Sequence, residues 1–324
     1  MYQTLIQPIQ DHLTQRIILI TDGALSYLPF DALLTAKPKA HENFKNVTYL
    51  LEQYQISYAH SINWLSGLYG EISPKFDQNF VGLAPVFKGN NADNVSEFRI
   101  GLGPLKYNQE EVYNIKNNIG GIVVTGIKAT RKAFLDYIQK GQILHLATHG
   151  KSNDEQGDYS YLAFSEPQDT LDKQFLYVKD LFNLSIPADL VVLSACETGL
   201  GEMKRGEGIV GIGKGFSYAG AKSMVTTLWR VSDNSTANFM PLFYENLKNG
   251  QSKDEALWKA KKEFIQLNRS SGHPFFWAGY VAYGNMNPIE FQHRHERFSL
   301  LIGGGVLLLI IGLLIFFLRR FVLS

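Results

Sequence analysis

Cysteine is almost missing from this chain. One residue in 324, Cys196, carries a thiol. No disulfide can form within the chain, which excludes a disulfide-stapled secreted scaffold, and a cysteine-rich zinc site is excluded with it. An excess of charge is also missing. The 31 Lys and Arg stand against 30 Asp and Glu, a formal net charge of +1, so nothing in the balance demands a nucleic-acid partner. Tandem repeats and low-complexity tracts are absent from the sequence. The opening stretch "MYQTLIQPIQDHLTQRIILITDG" has no basic leader ahead of a long apolar run, because Gln15 and Arg16 interrupt it. The expectation is no signal peptide and a main body that folds in the cytoplasm.

Long uncharged runs are scarce until the far end. There "FSLLIGGGVLLLIIGLLIFFL", Phe298 to Leu318, holds 21 residues without a charge. As a helix it would reach roughly 31 Å, close to the hydrocarbon thickness of a bilayer. A soluble helix needs a polar face, and this run has none, so a single-pass membrane anchor is expected. Arg294 and Arg297 lie before the run and Arg319 and Arg320 after it, so the flanks do not set its orientation. The expected organisation is a soluble domain over 1–290, a basic juxtamembrane linker over 291–297, the transmembrane helix over 298–318 and a short tail over 319–324. The lipid bilayer is thus one expected partner.

What the body does have is core-forming material. Hydrophobic residues make up 45% and aromatics 13%, enough for a substantial interior and too much for a disordered chain. Apolar runs such as "RIILIT", "NFVGLAP", "GIVVTG", "QILHLATHG", "DLVVLSA" and "SMVTTLW" read as strands. Between them "QEEVYNIKNNIG", "KATRKAFLDYIQKG", "SDNSTANFMPLFYENLKNG" and "SKDEALWKAKKEFIQL" read as helices, with Thr130 and Ser232 or Asp233 as caps. "GEGIVGIGKGFSYAGA" reads as a helix despite its glycines. "FFWAGYVAYG" reads as a last strand. Alternating strands and helices, with strands that are apolar throughout, predict an α/β fold whose mostly parallel sheet is covered on both faces.

In such folds reacting groups collect past the C-terminal ends of strands. Two strand ends carry chemistry: "QILHLATHG" ends in His149 and Gly150, and "DLVVLSACETG" runs into Cys196. If these strands are neighbours, the thiol and the imidazole face one crevice. A thiol at its free pKa is little ionised at neutral pH, and a histidine beside it takes the proton or stabilises the thiolate. The backbone N–H groups of Gly150 and Cys196 are the candidate oxyanion donors. The competing readings are a core cysteine and a structural histidine. His145, earlier in the same strand, reads as buried and hydrogen-bonded, placed to support His149 from below. Candidate pocket residues are Asp158, Glu197, Trp229 and Asp233. For Asp233 the alternative is a helix cap, and for Trp229 it is core packing. "GIGKG" superficially resembles a phosphate loop but lacks the lysine-threonine ending, so no nucleotide or other cofactor is expected.

Taken together, "LHLATHG", "ADLVVLSACETG" and "GEGIVGIGKGFSYAGAKSMVTTLWRVSD" resemble the CHAT domain, a caspase- and separase-related cysteine peptidase domain often found beside tetratricopeptide repeats. "IILITDGALSYLPFDALL" and "HPFFWAGYVAYG" resemble its first and last strands, so the likeness covers roughly residues 15–285. The resemblance implies a caspase-like three-layer sandwich, His149 as general base, Cys196 as nucleophile, a protein or peptide substrate, and a partner such as an activator or a repeat-containing protein. Metacaspase relatives often carry an aspartate two residues before the nucleophile, where it recognises a basic side chain. Here Ser194 stands at that position, so a preference for arginine or lysine is not supported by that route.

Overall fold

Apolar runs form thirteen strands in the computed structural model, which describes residues 1–39, 43–44, 46–70, 73–87, 102–165, 174–194, 201–204, 208–267 and 272–291. They are β1 (Arg16–Leu19), β2 (Gln55–Tyr58), β3 (Gln78–Pro85), β4 (Ile122–Gly126), β5 (Gly141–Leu146), β6 (Gly150–Lys151), β7 (Tyr161–Ala163), β8 (Phe175–Tyr177), β9 (Leu190–Leu193), β10 (Gly201–Lys204), β11 (Gly208–Gly211), β12 (Ser223–Thr227) and β13 (Tyr280–Gly284). Eight of them make one sheet in the order β1-β2-β13-β12-β9-β5-β3-β4. Every neighbouring pair in it is parallel except β12 with β13. The sheet is therefore split into three strands running one way and five running the other.

The helices are α1 (Tyr2–Leu5), α2 (Ile62–Leu68), α3 (Asn108–Ile119), α4 (Arg131–Tyr137), α5 (Val178–Leu181), α6 (Ile212–Tyr218), α7 (Asp233–Lys248) and α8 (Lys253–Leu267). Side chains alternate across a strand, and the two faces of the sheet bury different partners. Val81, Leu83, Leu144, Leu146, Val191, Leu193 and Met224 face Phe134, Val178, Leu181, Ile212 and Phe216 in one apolar cluster. Phe80 and His145 face the other way, where Tyr244 of α7 meets both rings. Helices on each side of a mostly parallel sheet make the three layers that the alternating pattern predicts.

Caps define several helix starts as expected. Ser61 accepts from Trp64 N–H, Thr130 from Ala133 N–H, and Ser232 from Ser235 N–H. One expected helix is corrected. Among the described residues of "GEGIVGIGKGFSYAGA", only Ile212–Tyr218 is helical. Gly208–Gly211 instead forms β11, paired antiparallel with β10. Glycine is a poor helix former, and a hairpin supplies partners for the same backbone groups.

Residues 1–289 form one compact unit. Among the described residues no helix is long and apolar enough to cross a membrane. The expected span over 298–318, with residues 292–297 and 319–324, lies outside the described residues.

Candidate functional site

β5 and β9 are immediate neighbours. Their parallel register sets Leu144 opposite Val191, His145 opposite Val192 and Leu146 opposite Leu193. Both strands are buried along their whole length. His149 follows Leu146 by three residues, and Cys196 follows Leu193 by three. Adjacent strands lie about 4.8 Å apart, so the last paired residues of β5 and β9, Leu146 and Leu193, stand side by side. Cys196 and Glu197 lie outside the described residues.

After Leu146 the chain leaves the sheet while staying tied to it. Ala147 N–H donates to the Leu83 carbonyl, and the Thr148 hydroxyl donates to the Ala163 carbonyl. His149 is only 6% exposed. Its Nε2 lies 2.7 Å from the Gly103 carbonyl oxygen. A carbonyl only accepts, so Nε2 carries the proton and the neutral ring keeps its lone pair on Nδ1. The Phe87 ring lies 4.7 Å from the imidazole, centroid to centroid. Burial pushes the His149 pKa below its ordinary 6.5. The Gly103 hydrogen bond opposes that shift, Arg230 adds to it, and Asp233 opposes it. Gly150 sits opposite Leu162 across β6 and β7, and Ala163 N–H donates to the His149 carbonyl. In that antiparallel pattern the Gly150 N–H faces away from β7.

Next to these strand ends lies a cavity of about 380 Å³. Its wall includes Thr148 and Ser194, so it adjoins both the His149 segment and the chain leading to Cys196. The α3 helix supplies the floor. It lies close over β3 because Gly82 has no side chain: a Cβ there would stand 2.8 Å from the Phe80 ring and 3.1 Å from Val112 Cβ. That approach buries Val112 and Ile115, and it carries Glu111 inward to 1% exposure. Glu111 Oε1 receives His145 Nε2–H at 2.9 Å and the Ser194 hydroxyl at 2.6 Å. Tyr244 OH lies 2.9 Å from His145 Nδ1. Burial, then the Glu111 charge, raises the Tyr244 pKa well above 10. One turn earlier, Asn108 donates from Nδ2 to the carbonyls of Pro85 and Ala147, at 2.8 and 3.1 Å. Its Oδ1 is buried with no hydrogen-bond partner among the described residues.

The residues singled out in the sequence part company here. Asp233 lines the cavity, and its Oδ2 also receives the N–H groups of Lys106 and Tyr107 at 2.6 and 2.7 Å. It thus satisfies the backbone entering α3, while Ser232 caps its own helix. Trp229 stands behind the wall. Its indole donates to the Phe275 carbonyl and its ring lies against Gly279, and it is Phe275 that lines the cavity. Asp158 is half-buried in the turn Gly157–Tyr159, where Gly157 N–H donates to Glu202 of β10. His145 does not support His149, since its two nitrogens go to Tyr244 and Glu111. Glu111 and Asn108 are cavity residues that the sequence did not flag, while Arg230, which follows Trp229 past the end of β12, lines the cavity as well. The signal for Glu111 was a carboxylate beside Val112 on the inward side of an amphipathic helix.

The family model described as "CHAT domain" matches residues 1–285. Tetratricopeptide repeat protein 28 of Homo sapiens is 24% identical over 328 residues, which cover 88% of this chain and 13% of that protein. The Mus musculus counterpart is 23% identical over 331 residues, with the same coverage of 88% and 13%. The chain therefore spans about an eighth of the length of these curated relatives. Among solved structures, the separase of the Saccharomyces cerevisiae separase–securin complex aligns over 83% of this chain and 15% of its own, with a TM-score of 0.51 and 14% identity. The Arg-specific cysteine proteinase gingipain R aligns over 72% of this chain and 55% of its own, with a TM-score of 0.46 and 9% identity. At such identities the likeness concerns the fold.

Proposed function

Because the chain belongs to the CHAT domain family, we propose that it is a cysteine-type endopeptidase that cuts protein substrates with His149 and Cys196. The observation that carries this reading is the pairing of Leu146 with Leu193, which sets the two strand ends side by side. With Nε2 held by the Gly103 carbonyl, Nδ1 is the nitrogen left to take the thiol proton. The thiolate attacks the substrate carbonyl carbon, and the N–H groups of Gly150 and Cys196 meet the oxygen as it becomes negative. The imidazolium then protonates the leaving amine. Water, giving its proton to the same nitrogen, hydrolyses the thioester and restores the thiol. A backbone carbonyl thus does the orienting that a carboxylate does in a three-residue triad.

In this reading residues 298–318 hold the enzyme to a lipid bilayer with the catalytic body in the cytoplasm, which raises its concentration near membrane-bound substrates. An activator or repeat-containing protein is the expected partner, in keeping with the repeats that name the matched relatives. That same naming favours a second reading, a docking module that binds without cutting.

A thiol-directed peptidyl electrophile separates the two. Labelling is expected at Cys196, lost in Cys196→Ala, and slowed at least about tenfold in His149→Ala. Partner binding that survives both substitutions, with no labelling even when the partner is present, would favour docking. Deleting 298–324 is expected to move the protein from the membrane fraction to the soluble one, and retention in membranes would remove the anchor from the proposal.

A further inference from the structure

One stretch of chain, Leu102 to Glu111, meets the backbone just ahead of both reactive residues. Its Gly103 carbonyl accepts from His149 Nε2 at 2.7 Å. Asn108 Nδ2 donates to the carbonyl of Ala147, two residues before His149. Glu111 Oε1 receives the hydroxyl of Ser194, two residues before Cys196, at 2.6 Å. At its start the stretch is anchored by Leu102, which is buried with Phe87, Ala163 and Phe175. Further on, Tyr107 opens α3 without a side-chain hydrogen bond to cap the helix. The tie comes from elsewhere. Asp233 Oδ2, at the start of α7, receives the N–H groups of Lys106 and Tyr107 at 2.6 and 2.7 Å. A negative group beside a helix N-terminus is also favoured by the aligned peptide dipoles.

We propose that Asp233 is a positioning residue for the reaction: it clamps the entry to α3 and, through the Gly103 carbonyl, keeps the His149 proton on Nε2 and leaves Nδ1 bare. This deepens the peptidase reading and rests on it for what the bare nitrogen does. Only Pro104 and Leu105 separate Gly103 from Lys106, and proline fixes its own φ, so a shift at the clamp reaches the carbonyl with little slack. Without an acceptor at Nε2, the neutral ring holds its proton on either nitrogen, and a ring with Nδ1–H takes no proton from the thiol at that atom. Both N–H groups converge on a single oxygen of Asp233. The clamp therefore needs an acceptor at that point, and the charge is a separate matter. Burial lowers the His149 pKa, and the Asp233 charge opposes that shift.

The test separates acceptor from charge. Asp233→Asn keeps an oxygen and removes the charge, and Asp233→Ala removes both. Asp233 is half-buried and Ser232 caps α7 by itself, so both variants are expected to fold. In full-length Cys196→Ala protein, NMR of the His149 ring nitrogens reads the tautomer at neutral pH. The parent and Asp233→Asn should show Nε2–H. Asp233→Ala should raise the Nδ1–H share severalfold and quicken amide exchange at Lys106 and Tyr107 by about tenfold. With Cys196 present, labelling by the peptidyl electrophile should slow more in Asp233→Ala than in Asp233→Asn, through its saturated rate and not the concentration that half-saturates it. Equal tautomers in all three proteins overturn the inference. So does a tautomer change while the Lys106 and Tyr107 amides stay protected, because the charge alone would then be acting. A change that accompanies their exposure, in either variant, supports the clamp. The same change in a protein whose Cys196 is never labelled, even with its partner present, would keep the clamp and sink the peptidase.

Discussion

The carbonyl oxygen of Gly103 receives a hydrogen bond from Nε2 of His149, 46 residues further along the chain, at 2.7 Å. This bond fixes the ring's tautomer, and the buried setting governs its charge. The His149 pKa lies below the ordinary 6.5, chiefly from burial. In Cys196→Ala protein, an NMR titration of the His149 ring should therefore show its midpoint below 6.5. Arg230→Ala should raise the midpoint and Asp233→Asn should lower it. A midpoint at or above 6.5 in the parent would contradict the buried, neutral ring.

A second imidazole ties acidity to stability. His60 lies between Trp64 and Tyr283, with ring centroids 4.7 and 5.1 Å away, and its Nε2 is 3.0 Å from Ser217 Oγ. Burial, then the charge of Lys214, lowers its pKa to about 4. The unfolded chain takes up this proton near pH 6.5 and the folded chain does so only near 4. Stability from this site is complete above 6.5 and is lost as the pH falls toward 4. The loss at pH 4 is roughly 2 to 3 kcal/mol. Urea unfolding at pH 7 and pH 4 should show His60→Phe losing less stability than the parent by about that amount. Equal losses would mean that the proton is taken up equally in both states.

The Lys261 ammonium meets the Asp31 carboxylate at 2.6 Å, with side chains 2% and 3% exposed. Removing one member strands the other charge in the interior. Lys261→Met should destabilise the protein by roughly 3–5 kcal/mol, and adding Asp31→Leu should recover most of that. Chemical denaturation of both variants measures it. A double variant no better than the single one would show that the pair is not isolated from its surroundings.

Much of the architecture was readable because it depends on short-range pattern. β5 and β9 announce themselves as apolar runs, and Ser61 and Thr130 cap the helices that follow them. Where distant partners decide, local pattern fails. "QILHLATHG" reads as one strand, yet the chain quits the sheet at Leu146 and starts a separate antiparallel sheet at Gly150. The glycines after Glu207 suit a helix or a hairpin, and pairing with Gly201–Lys204 chooses the hairpin. Asp233 reads as a pocket acid or a cap for its own helix, and the backbone that it serves lies 126 and 127 residues earlier. Glu111 was not singled out in the sequence, since its partners His145 and Ser194 lie 34 and 83 residues away. Ser194 alone marked only the absence of an acid.

The reversal of direction between β12 and β13 has an experimental use. It sends β2 toward the opposite rim of the sheet from β5, so His60 and His149 emerge at opposite rims, a strand's length or more apart. Perturbations separated by more than about 10 Å usually act additively. Protonation of His60 and protonation of His149 are then expected to act as separate events, and substituting either one isolates the other. Each histidine becomes an internal reference against which the second is calibrated.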